Sequence, residues 1–146
     1  MTMRRQSTAK HTGELTFNHA MVYSRDVATA LHFYHELLGF KVIEQMEYSG
    51  RLVYARLGAQ SGGTIALHML DPGRTMPEGD GIRLYFETRN LKKFCERLQK
   101  SGVKFSQLPK MMPWGWKHAY LDDPDGHEVS LYWAGAKRFK PSRMKV

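Results

Sequence analysis

The chain has 146 residues, of which 42% are hydrophobic and 12% aromatic. That is enough for one domain with a core, and no apolar run approaches the roughly 18 residues that span a bilayer. A single cysteine, Cys95, excludes a disulfide framework and a thiolate metal cluster. The net charge of +8 would suggest nucleic acid, but Arg4, Arg5, Lys10, Lys137, Arg138, Lys140, Arg143 and Lys145 carry all of it. Residues 15–136 keep 14 basic residues (22 less those eight) and 13 acidic ones (14 less Glu14), so the body is nearly neutral. The first twelve residues hold no apolar signal region. The expectation is a soluble cytoplasmic protein with no specific nucleic-acid partner and no membrane contact.

Residues 1–14 read as a flexible basic arm and residues 137–146 as a basic tail around one domain, 15–136. Residues 15–23 alternate as a strand, with Phe17, His19, Met21 and Tyr23 on one face. Ser24, Arg25 and Asp26 offer an N-cap, and residues 27–38 carry helical apolar spacing until Gly39 stops it. Residues 40–48, 52–57 and 64–70 are three further strands, and 71–81 is a turn-rich linker. The order then restarts. Residues 82–88 alternate, Asn90 caps a helix to Lys100 with Leu91, Phe94, Cys95 and Leu98 inward, and 103–107 is a strand. Residues 117–121 and the stretch from His127 onward form a hairpin around the turn-dense Asp122 to Gly126.

Each half reads β-α-β-β-β, module 1 over about 15–71 and module 2 over about 81–134. The stretch from Arg25 to Val27 answers that from Arg89 to Leu91, an offset of 64. The fold class is therefore α+β, an internal duplication of two βαβββ modules forming a curved mixed sheet around a cavity. His19 and Arg83 share one place in the two first strands. Matching the last strands by sequence sets His68 against Ser130, and these four side chains would converge where the sheets meet.

The segments HAMVYSRDVATALHFYHELLGFKV, GTIALHML, GIRLYFETRNL and PWGWKHAYLDDPDGHEVSLYW resemble the glyoxalase, bleomycin-resistance and extradiol dioxygenase family, the vicinal oxygen chelate superfamily. The Phe33-Tyr34 pair with Leu38-Gly39-Phe40, and Asp123-Pro124-Asp125-Gly126, are the most specific parts. The resemblance covers about residues 15–134. It implies a glyoxalase-like fold, commonly a homodimer, and a cavity whose divalent metal, when there is one, is held by His or Gln, Glu, His and Glu.

At those four positions this chain has His19, His68, Arg83 and Ser130. Arginine stays protonated and repels a cation, and a serine hydroxyl is a poor substitute for carboxylate. Glu128, one strand period before Ser130, or Glu87, on the face of Arg83 and Tyr85, is a rescuing carboxylate for His19 and His68; Glu128 paired with Arg83 or Lys117 is an ordinary ion pair. Two readings stand. In the first, the cavity binds a small neutral or anionic, aromatic molecule through Arg83, Tyr85, Trp114, Trp116, His118, Ser130 and Tyr132, since aromatic residues give large contact area at little entropic cost. In the second, His19, His68 and Glu128 hold nickel, zinc, manganese or iron for a glyoxalase-like lyase, isomerase or dioxygenase. A metal-free enzyme would use a histidine as base with Arg83 at an oxyanion. His32 and His35 fall on the polar side of the first helix, and Cys95 reads as core rather than nucleophile.

Overall fold

The computed structural model describes residues 13–60, 62–76 and 82–135. The two basic ends, apart from Gly13 and Glu14, and the second half of the expected linker lie outside those residues. Two four-stranded mixed sheets account for the fold. The first is built from β1 (Ala20–Ser24), β2 (Lys41–Tyr48), β3 (Arg51–Gly58) and β4 (Thr64–Met69), in the order β1-β4-β3-β2. The second repeats this as β5-β8-β7-β6, from β5 (Arg83–Glu87), β6 (Phe105–Met111), β7 (Lys117–Asp122) and β8 (Glu128–Trp133). In each sheet the first and last strands run parallel and the other pairs antiparallel. The sequence predicts this α+β duplication.

Local departures have physical causes. The first strand begins at Ala20 rather than residue 15 because its partner β4 begins at Thr64, and Ala20 already pairs with Ile65. Leu15 and Phe17, running past the ladder, are 96% and 84% exposed. The first helix is capped by Asp26, whose Oδ1 accepts from the Ala28 amide, but it divides into α1 (Val27–Leu31) and a π-helical segment (His32–Leu37). The Leu38 amide reaches back five residues to the Phe33 carbonyl, and the wider turn lets two adjacent rings, Phe33 and Tyr34, both enter the core. Their rings meet edge to face at 5.0 Å. The expected strand over 103–107 instead runs to Met111 through Pro109, which is tolerated because β6 is an edge strand. Ser49 and Gly50 both take positive φ, the geometry of a two-residue hairpin turn between β2 and β3.

The helix α2 (Leu91–Lys100) buries Leu91, Cys95 and Leu98 against its sheet, while Phe94 is half-buried beneath the Arg97 guanidinium. One apolar cluster joins Val22, Tyr34, Leu57 and Leu67 of the first half to Leu98, Leu121, Val129 and Leu131 of the second. The two halves thus share a core on their helix-bearing sides. Their other, open faces carry the chemistry.

The two motifs most specific to the resemblance meet across this seam. The Tyr34 hydroxyl, fully buried, donates to Asp123 Oδ2 at 2.8 Å. Asp123 Oδ1 accepts from the amides of Asp125 and His127, closing the turn before β8. Burial, and then the Asp123 charge, push the Tyr34 phenol far above its usual range, so it remains a donor. His127 Nε2 donates to the Tyr23 carbonyl, and Asp125 Oδ1 accepts from the Arg25 amide.

Candidate functional site

The open face of the second sheet gathers rings. Alternation along β5, β7 and β8 puts Arg83, Tyr85 and Glu87, then His118 and Tyr120, then Glu128, Ser130 and Tyr132 on this face. Trp116 precedes β7 and points the same way. The planes of Trp116, His118 and Tyr132 are nearly parallel: Trp116 to Tyr132 at 5.4 Å and 11°, His118 to Tyr132 at 5.3 Å and 15°, Trp116 to His118 at 6.3 Å and 12°. Tyr85 stands edge-on to His118 and Tyr132, both at 6.1 Å. Trp114, on the turn between β6 and β7, is 44% exposed and lies edge-on to His118 at 5.4 Å.

His118 is the hub of this cluster and is 2% exposed. The Trp114 indole N–H donates to His118 Nε2 at 3.2 Å. An indole nitrogen only donates, so Nε2 is unprotonated and the proton sits on Nδ1, which donates to Ser130 Oγ at 2.8 Å. Burial lowers the His118 pKa and favours this neutral ring. Ser130 is fully buried beneath it.

Arg83 Nε contacts Glu128 Oε2 at 2.7 Å. The rescuing carboxylate is therefore held in an ion pair, and the Arg83 charge is matched within the site. Lys117 stands opposite Trp133 rather than Glu128.

The first sheet carries a different set. Tyr54 Oη and Arg56 Nε both donate to Glu44 Oε1, at 2.9 and 2.8 Å. These bonds, Arg56 foremost, hold the Glu44 carboxyl below the usual range, and burial followed by Glu44 raises the Tyr54 phenol. His68 lies edge-on between Tyr23 and Tyr54, at 6.1 and 6.3 Å. Its Nδ1 donates to the Met69 carbonyl, and His19 Nδ1 donates to Asn18 Oδ1. In the neutral tautomer set by these bonds, Nε2 is the acceptor nitrogen of each ring. The polar alternation of β3 is visible in the sequence, but the cross-strand convergence of Tyr54 and Arg56 on Glu44 is not.

The residues present do not fit a divalent metal within one chain. Among the described residues no group of three His, Cys, Asp or Glu side chains could hold one. His19 lies just ahead of β1 and His68 stands opposite Tyr23, four residues further along, while Ser130 is bonded to His118 and Glu128 to Arg83 on the second sheet.

Strand register also moves one sequence match. Parallel partners are 45 residues apart in both sheets, Ala20 with Ile65 and Arg83 with Glu128. With the first strands offset by 64, His68 answers Tyr132, and Ser130 answers Ala66. Matching His68 to Ser130 by sequence is therefore off by two residues, one strand period, which preserves the face and hides the slip.

Two cavities lie near these faces. One of about 490 Å³ between the halves is lined by Phe40, Leu57, Ile65, Phe86, Tyr85 and Tyr132 among others. Another, of about 580 Å³, lies between α2 and β6 and touches none of the ring cluster apart from bordering Lys117 beside it. No helix among the described residues is long and apolar enough to cross a membrane.

The fold and the two-module site define a class, and sequence comparison agrees with it. A profile of the Glyoxalase/Bleomycin resistance protein/Dioxygenase superfamily matches residues 16–131, and the chain belongs to that superfamily. A superfamily structure from Sphaerobacter thermophilus is 28% identical, with a TM-score of 0.63, covering 82% of this chain and 98% of that one. TnmS3, an antibiotic binding protein from Streptomyces, is 26% identical, with a TM-score of 0.62 and the same coverage. A superfamily protein from Nocardioides, 19% identical over 96% of this chain and 95% of its own, has a TM-score of 0.71 and shows the fold alone.

Proposed function

We propose that this chain binds a small, flat, neutral aromatic molecule on the open face of its second sheet. The observation that carries the reading is the near-parallel set of Trp116, His118 and Tyr132 with Tyr85 as its wall. A flat ring can extend such a stack, each aromatic pair contributing about 0.5–1.5 kcal/mol beyond area burial. Because Glu128 already matches the Arg83 guanidinium and Glu87 on the same face is negative, the neutral ligand is favoured over the anionic one. The neighbouring cleft of about 490 Å³, also bordered by Tyr85 and Tyr132, has room for an apolar extension. The antibiotic-binding relative supports a binding role rather than turnover.

In the same reading the chain acts as a homodimer, with the first sheet of one copy closing over the second sheet of the other. Exposed Phe17, Ile82, Tyr85 and Trp114 support a covered face. The test is calorimetric titration with one ring system in three charge states: naphthol, naphthoate and naphthylmethylammonium. Naphthol is expected to bind best. Equal affinity for all three, or none for any, overturns the reading.

The metal-dependent lyase or dioxygenase is a second reading, favoured only by the Nε2 lone pairs of His19 and His68, the tautomer metal-ligating histidines adopt. Elemental analysis after loading with nickel, zinc, manganese or iron separates the two. About one ion per chain, lost in His19→Ala, would restore the enzyme.

A further inference from the structure

We propose that His118 is a positioning residue that latches the Trp114 indole onto the ring cluster only while its imidazole is neutral, so that ligand affinity falls on acidification. The inference rests on the aromatic-binding reading above and concerns the same site.

The geometry leaves His118 one way to hold Trp114. The indole nitrogen can donate but not accept, and its N–H points at His118 Nε2 at 3.2 Å. Protonation puts a second hydrogen on the ring, so the bond becomes donor against donor and breaks. The other nitrogen cannot compensate, because Nδ1 is committed to Ser130 Oγ on β8. The backbone of the Trp114 turn is closed by its own bonds, Met112 N to Trp116 O at 2.8 Å and Gly115 N to Met112 O at 2.9 Å. His118 therefore governs the half-exposed side chain of Trp114 rather than the loop.

The surroundings resist a charged ring. Tyr85 on β5, Tyr132 on β8 and Tyr120 on β7 present neutral phenols, and Lys110 on β6 stands opposite His118 in the ladder. On β5, Glu87 shares the cross-strand row of Tyr132 and His118, and its Oε2 accepts from the Ala134 amide; Arg83 and Glu128, four residues further along, are paired with each other. Burial lowers the His118 pKa, so the latch is closed at neutral pH and opens below the ordinary histidine range.

The first measurement is made on ligand-free protein labelled with ¹⁵N in tryptophan and histidine. A scalar coupling between Trp114 Nε1 and His118 Nε2 is expected at neutral pH, vanishing along the same titration as the His118 ring nitrogens. The second follows naphthol affinity over that range, with a loss of about fivefold, the size of one hydrogen bond. In Trp114→Phe, which keeps the ring and removes the donor, the pH dependence should flatten. A Trp114 resonance indifferent to the His118 titration overturns the latch, as does full pH dependence in Trp114→Phe. Loss of the coupling on schedule with no naphthol binding at any pH supports the latch and sinks the binding reading instead.

Discussion

Taken position by position, the two sheets use one frame for opposite chemistry. The offset of 64 holds for the third strands as well as the first and fourth: Tyr54 pairs with His68 as His118 pairs with Tyr132, and Arg56 pairs with Ala66 as Tyr120 pairs with Ser130. On the first sheet these positions build a hydrogen-bonded set around Glu44. On the second they build a ring cluster around a neutral histidine. The backbone fixes where side chains stand, and a few substitutions decide what they do. That divergence accounts for two of the four positions at which the resemblance implies a metal ligand: Arg83 and Ser130, both on the second sheet, each have another partner there.

The comparison breaks most visibly at the seam that keeps the two sheets in one molecule. Asp123 accepts three hydrogen bonds and is 5% exposed, so Asp123→Ala should cost about 3 kcal/mol by urea unfolding, since buried amides of its own turn lose their acceptor. Tyr34→Phe removes only the inter-module bond and should cost about 1–3 kcal/mol, leaving Asp123 Oδ2 short of its donor. If Tyr34→Phe is neutral while Asp123→Ala is severe, the carboxylate serves its hairpin and the halves are held by apolar packing alone.

A smaller effect separates the two open faces. Trp116→Ala should weaken naphthol binding about tenfold, the loss of one stacked ring and its contact area. His68→Ala, at the register position of Tyr132 but on the other sheet, should weaken it by only about twofold, through the covering face of a second copy. Equal losses in calorimetric titration would mean that both sheets contribute alike, and the contrast drawn between them would fail.

Much of this architecture is legible from residue order. Period-two alternation, the Asp26 cap and the turn residues before His127 are local signals, and all reappear in the structure. What escapes is whatever depends on a partner strand. The length of the first strand is decided by where β4 starts, and the fate of Pro109 by β6 being an edge. The convergence on Glu44 crosses two strands with a register shift between them. The site residues Arg83, Tyr85, Trp114, Trp116, His118, Ser130 and Tyr132 can be named from alternation, yet the ion pair with Glu128 and the tautomer of His118 are tertiary facts. The two-residue slip in the His68 match shows the limit: a shift by a whole strand period leaves every face correct.

The polar set of the first sheet supplies the smallest expected effect. Glu44 and Arg56 form a close ion pair at 2.8 Å, but Glu44 is solvent-exposed, and such pairs are screened and entropically costly to hold. Glu44→Gln keeps an oxygen that can accept from Tyr54 or Arg56 and removes only the charge. The thermal midpoint should be unchanged, and added salt should affect the parent and the variant alike. A clear loss of stability at low salt that disappears at high salt would assign the pair a structural share. The first sheet would then owe part of its order to charge, and the Arg83–Glu128 pair would pose the same question of the second sheet in turn.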